Sequence, residues 1–138
     1  MSTITKQVFN ESVEFVVLGH LIGASAIHFA IKDKIVAPVI SNINTALNSN
    51  KDIYNILKKN FIDLYEAASA RREFLPDAFL ETIKICALIV LKHDNTVKLS
   101  CLNWLPQGEL LEEHLNLFES FKIEFLTRIN GTSKPEYK

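Results

Sequence analysis

Residues 13–31 read VEFVVLGHLIGASAIHFAI, the most apolar stretch of the chain and about as long as a membrane span. An ionisable group in mid-bilayer is expensive. This stretch holds Glu14, His20, Ser25 and His28, and it runs directly into Lys32-Asp33-Lys34. A buried core or interface helix fits those residues better than a membrane helix. Asn10 or Ser12 is the expected N-cap, Glu11 and Glu14 fall in the favourable first turn, and the helix is expected to run to about Lys32. Apolar residues cover nearly its whole circumference, the pattern of a helix surrounded by others. Gly19, Gly23, Ala26 and Ala30 recur at spacings of four and three. Glycine inside a helix costs about 1 kcal/mol relative to alanine. Two on one face point either to a helix crossing very close there or to simple tolerance of glycine.

The rest of the composition supports a helical reading. At 138 residues the chain is the length of one domain, expected here to span 1–131 with a frayed tail over 132–138. Hydrophobic residues make up 48%, which excludes intrinsic disorder. A domain this small buries only about 68% of its unfolded surface, so such a composition raises the question of a covering partner. The net charge of −1 makes no electrostatic case for a dedicated nucleic-acid or anionic-membrane binder. Four Gly and four Pro beside abundant Leu, Ile, Ala and Phe argue for long helices. The first residues lack the pattern of a secretory signal. Cys86 and Cys101 sit in apolar surroundings with no partner motif, so they read as small buried hydrophobes in a reducing cytoplasm.

Four further helices follow from the periodicity. Pro38 suits the first turn of a second helix ending at Leu47, with Val36, Val39, Ile40, Ile43 and Leu47 on one face. A third is expected over 51–72, burying Ile53, Ile56, Leu57, Phe61, Leu64 and Ala68. Pro76 breaks the chain and opens a fourth, with Phe79, Leu80, Ile83, Cys86, Ala87 and Val90 inward. Over 85–91 periodicity alone does not separate helix from buried strand. The reading favoured here is helix to Leu91, then a short strand or wing near 94–103, where Val97, Leu99 and Cys101 alternate with Lys98 and Ser100; a full hairpin is the alternative. The last helix, 109–128, places Leu111, Leu115, Phe118, Phe121, Phe125 and Ile129 on one face, and Asn130-Gly131 is the expected left-handed cap. The fold expected is mainly α, about five helices in one bundle-like domain.

Catalytic chemistry finds little support. His20 and His28 share a helix face but stand about 12 Å apart along the axis, too far for one zinc. Neither H-E-x-x-H nor C-x-x-C occurs, and there is no glycine-rich phosphate cradle or G-x-S-x-G elbow. Asp77, Glu81 and Lys84 invite comparison with a magnesium nuclease, but i, i+4, i+7 spacing on one helix reads as a solvated charged face. No metal and no cofactor is expected, and the chain is not expected to be an enzyme.

Charge distribution is more informative. The last helix carries Glu109, Glu112, Glu113, Glu119 and Glu124 against Lys122 and Arg128, net −3. The third carries Lys51, Lys58, Lys59, Arg71 and Arg72 against Asp52, Asp63 and Glu66, net +2. These are either ordinary solvated faces or a docking pattern, with the acidic helix meeting a basic protein surface. Arg71 and Arg72 with Lys58 and Lys59 would touch phosphates only weakly, lacking interleaved aromatics. The candidate interaction residues are therefore Gly19, Gly23, His20, His28, Arg71, Arg72, Glu112, Glu113 and Glu119.

An Ala70-Arg71 pair, Pro76 five residues later, an apolar helix over 78–91, the segment Asp94-Asn-Thr-Val97-Lys-Leu99 and a Phe-rich terminal amphipathic helix follow in order. With Asn10 opening an apolar first helix, this order resembles the small middle-component subunits of three-component ABC-type bacterial conflict systems, the group that includes Lamassu-like anti-phage defence. The resemblance implies a non-catalytic accessory subunit beside an SMC- or Rad50-like ATPase and an effector, and it carries over no functional residue. The expectation is a cytoplasmic interaction subunit with a larger protein partner, no membrane, weak or no nucleic-acid contact, and room for self-association. The alternative is a compact immunity protein that neutralises a toxin, its acidic last helix suiting a basic nuclease.

Overall fold

The computed structural model describes residues 3–49 and 53–133, with side chains described over 13–49 and 53–129. Five helices follow one another: α1 Thr3–His28, α2 Val36–Leu47, α3 Ile53–Ala70, α4 Asp77–His93 and α5 Glu109–Ser133. Short 3-10 turns lie at Arg72–Phe74 and Leu102–Trp104. The chain is mainly α, as its composition requires. It divides into two compact units, Met1–Leu105 and Pro106–Lys138.

In the first unit α1 and α3 each pack against the other three helices. Phe15, Leu18 and Ile22 of α1 are fully buried, with Ile43 of α2, Leu57, Phe61 and Leu64 of α3, and Phe79 and Ile83 of α4. Each such side chain contributes about 1.5–3 kcal/mol by leaving water. Phe15 is the hub. Its ring stacks on Tyr54 at 4.8 Å and meets Phe61 and His93 edge-on at 5.5 and 5.3 Å. All six residues expected inward on α4 are buried, and 85–91 is helical. No membrane-crossing candidate occurs among the described helices.

Four expectations need correction. First, α1 begins at Thr3, so Asn10 and Ser12 lie inside it rather than capping it. Capping residues favour a helix start without forbidding the helix from passing through them. Second, α1 stops at His28 rather than near Lys32. Ala30 takes a left-handed conformation, φ 53°. Its N–H donates to Ile27 O at 3.1 Å while the Ile31 N–H donates to Ala26 O at 2.9 Å. This pair of bonds is the Schellman arrangement, here built on alanine instead of glycine. One side of α1 is also open: His20, Ala24, Ile27 and His28 are exposed.

Third, among the described residues no strand occurs over 94–103. The alternation is present only in part: Leu99 is buried between exposed Lys98 and Ser100, while Val97 is half-buried and Cys101 is exposed. An extended segment without a neighbouring strand must satisfy its backbone otherwise. Here α3 supplies the partners: the Ser100 N–H donates to Glu66 Oε2 at 2.9 Å, and the Tyr65 hydroxyl donates to Cys101 O at 2.8 Å. Fourth, α5 runs through Asn130-Gly131 to Ser133. Glycine permits a left-handed cap without imposing one, and the first residue that forbids continuation is Pro135. The remainder of the expected tail, 134–138, lies outside the described residues.

Candidate functional site

The two connectors beside the C-terminal end of α3 are joined by one carboxylate. Asp33 Oδ1 accepts the N–H groups of Ile35 and Val36 at 2.8 and 3.0 Å, and the Asp33 carbonyl accepts the Ala37 N–H at 2.9 Å. Asp33 therefore caps α2. The same carboxylate takes Arg71 in a two-pronged grip, Nη2 to Oδ2 at 2.8 Å and Nε to Oδ2 at 3.0 Å. The Arg71 hydrogen bonds, opposed by burial and assisted by the two backbone N–H groups, hold the Asp33 carboxyl below its ordinary range. The Arg71 guanidinium also lies over the Phe74 ring at 4.8 Å, and that ring is 69% exposed. Arg72 donates to Ser69 O at 2.5 Å and stands over Trp104 at 5.9 Å. Both arginines are thus committed to holding the fold, with part of each left at the surface.

A second polar cluster lies toward the other end of α3. Buried Glu14 reaches His93, Oε1 to Nε2 at 2.5 Å, with Lys92 Nζ at 3.6 Å from its other oxygen. Nearby in sequence, Lys58 Nζ donates to Asp94 Oδ2 at 2.8 Å. That bond, with those from Thr96, pushes the Asp94 carboxyl down to about 2. These pairs tie α4 to α1 and to α3. Sequence reasoning placed Glu14 in a first turn and missed this role. The legible signal was a carboxylate amid apolar residues, which needs a partner when buried.

A recess of about 360 Å³ is bounded by Glu66, Ser69, Ala70, Arg72, Glu73, Ser100 and Cys101. It contains a thiol and charges of both signs but no histidine. Glu66 is occupied by the Ser100 N–H and hydroxyl. Cys101 is exposed, contrary to its expected burial, and left-handed at φ 54°; Cys86 is buried as expected, which pushes its thiol well up. Neither Glu14 nor His93 lines the recess. Burial pushes the Tyr65 hydroxyl up to about 12, with smaller contributions from Cys101 and Glu66.

Gly19 and Gly23 face α2. A Cβ built on Gly19 would stand 3.1 Å from Leu47 Cδ2, and one on Gly23 would stand 3.1 Å from Asn44 Oδ1. The glycines thus serve a close helix crossing inside the chain. His20 and His28 are exposed, and the His28 ring meets Phe29 edge-on at 4.7 Å. Among the described residues no group of three His, Cys, Asp or Glu side chains could hold a metal. In the nuclease-like trio, Lys84 pairs with Glu81 at 3.1 Å and lies over Trp104 at 5.3 Å, a charged helix face.

In the second unit, Glu112 and Glu113 are exposed and Glu119 pairs with Lys122 at 3.1 Å. Leu110, Leu117, Ile123 and Ile129 are also exposed, at 56%, 61%, 62% and 50%. Leu110, Glu113, Leu117, Phe121 and Glu124 follow at steps of three and four, so they form one line along α5. The first three apolar positions of that exposed set were missed because the Phe-rich stripe beside them gave the stronger signal. No family model, no curated protein and no solved structure matches this chain.

Proposed function

We propose that this chain is a non-catalytic interaction subunit of a larger bacterial complex, acting in the cytoplasm, with α5 as its docking helix. The carrying observation is that α5 leaves Leu110, Leu117 and Ile123 in water among Glu109, Glu112 and Glu113. Burying one such aliphatic side chain in a partner gains about 1.5–3 kcal/mol. The flanking carboxylates select a basic surface and speed encounter. Support for a non-catalytic role comes from three pairs of titratable groups taken up in ties between distant segments: Asp33 with Arg71, Glu14 with His93, Lys58 with Asp94.

The order of sequence features suggests the partner, an SMC- or Rad50-like ABC ATPase of an anti-phage or plasmid-defence system. A tagged chain recovered from its native host and analysed by mass spectrometry tests both points. The wild type is expected to retain an ABC ATPase, and Leu117→Glu is expected to lose it. Retention of that ATPase by both chains removes α5 as the docking helix. Recovery of a basic toxin in its place supports an inhibitor instead.

A further inference from the structure

The Asp33–Arg71 grip brings together a surface whose charge is opposite to that of α5. Over 31–35 and 71–75 the chain carries Lys32, Lys34, Arg71 and Arg72 against Asp33 and Glu73, net +2. Lys32, Lys34 and Arg72 are exposed. Two large apolar side chains stand among them in water, Ile35 at 52% and Phe74 at 69% exposure. Phe74 is not loose: the Arg71 guanidinium backs its ring at 4.8 Å, and Asp33 clamps that guanidinium at 2.8 Å. An aromatic ring held in place before contact loses little freedom on binding. Aromatic residues and arginine are also the types that carry most interface energy.

We infer that this connector surface receives the acidic line of α5 from a second copy of the chain. The inference rests on reading α5 as a docking helix, and it names one occupant for that helix. α5 carries net −3 over 109–128, and its line Leu110–Glu113–Leu117–Phe121–Glu124 offers aliphatic and aromatic groups between carboxylates. Pairing α5 with α5 would set −3 against −3, and pairing two connector surfaces would set like charges together. Only the unlike pairing is complementary in both charge and apolar content. It is heterologous, so each copy uses its helix on one neighbour and its connector surface on another.

Light scattering on the full chain tests this directly. The wild-type mass is expected to rise above the monomer with concentration and to fall back in high salt, because exposed charges are screened. K32E/K34E and E113K/E124K are each expected to remain monomeric with unchanged helical content. Mixed together they are expected to assemble, since each supplies the half the other has kept and the two reversed surfaces, net −2 and net +1, are complementary as well. Phe74→Ala is expected to weaken assembly about tenfold, the ordinary scale for an interface anchor. A wild type that stays monomeric at every concentration overturns the inference, as does a mixture that stays monomeric. A monomeric chain that still loses its ATPase on Leu117→Glu removes only this inference. An assembling chain that captures no ATPase removes only the partner proposed above.

Discussion

The two units are held by different kinds of contact. In the first, the polar ties are long in sequence: Arg71 reaches Asp33, His93 reaches Glu14, and Asp94 reaches Lys58. Each joins segments distant in the chain, so breaking one is felt at both. The ties described along α5 include short ones, within a single turn: Lys122 with Glu119 at 3.1 Å, Phe121 with Phe125 at 6.0 Å, and His114 with the Leu110 carbonyl. Local pairs of this kind are worth only a few tenths of a kcal/mol each. The bundle thus carries cross-links between distant segments, whereas α5 buries Phe118 but leaves Leu110, Leu117, Ile123 and Ile129 in water. That contrast makes stability the readout for the first unit and binding the readout for the second.

Among the polar ties, the largest expected effect comes from cutting the one that serves two purposes. Asp33→Ala removes the α2 cap and strands the Arg71 guanidinium, and is expected to lower unfolding stability by about 2–3 kcal/mol. Asp33→Asn keeps a capping oxygen and should lose roughly half as much. Urea titration followed by circular dichroism measures both, and equal losses would show that the cap contributes nothing. Next is the α1–α2 crossing. Gly19→Leu forces a side chain against Leu47 and is expected to cost about 2 kcal/mol. Gly23→Ala meets only the exposed Asn44 side chain, which can swing aside, so helix propensity should win by up to about 1 kcal/mol. Unchanged melting of Gly19→Leu would show that the crossing is not tight.

Ala30 offers a gain of about 1 kcal/mol. Its φ of 53° is strained for alanine and free for glycine, so Ala30→Gly should raise the melting temperature. A lowered temperature would mean that the left-handed turn is not what ends α1. Smaller still is the acid response. Asp33 and Asp94 both have carboxyls depressed in the folded chain. Their stabilisation is therefore complete above the unfolded carboxylate value near 4 and is lost as pH falls below it, for Asp94 down toward about 2. Asp94→Asn should flatten stability against pH in that window and leave it unchanged near neutrality in slope. An identical acid limb in the variant would assign the loss to other carboxylates.

Much of the helical order was readable because burial and period agree on it. The inward sets of α2, α3 and α4 were legible for that reason: Ile40 and Ile43, then Leu57, Phe61 and Leu64, then Phe79, Ile83 and Cys86 recur at steps of three and four and are buried. Helix ends were less legible. No glycine or proline marks the turn at Ala30, where backbone hydrogen bonds to Ala26 and Ile27 decide the outcome. The alternation over 97–101 mimics a strand, because packing on one helix and pairing in a sheet make the same demand on successive side chains. The expected interaction residues show a similar division. Gly19 and Gly23 were legible as a close approach, yet the helix that approaches is the chain's own α2. Arg71 was legible as a surface cation, while its partner Asp33 lies 38 residues away and no local pattern points to it.

The smallest expected effect on stability is the most informative about α5. Leu117 is 61% exposed, so Leu117→Ser removes little buried area and is expected to change unfolding free energy by no more than about 0.5 kcal/mol. An equally conservative truncation of a bundle residue, Leu57→Ala, should cost about 2–5 kcal/mol, because Leu57 is fully buried. If Leu117→Ser instead lowers stability by as much as Leu57→Ala, then α5 is a structural part of the fold and its apolar line is not available to a partner. If stability is untouched while co-purification or self-assembly falls, the energy of Leu117 is realised only in a complex.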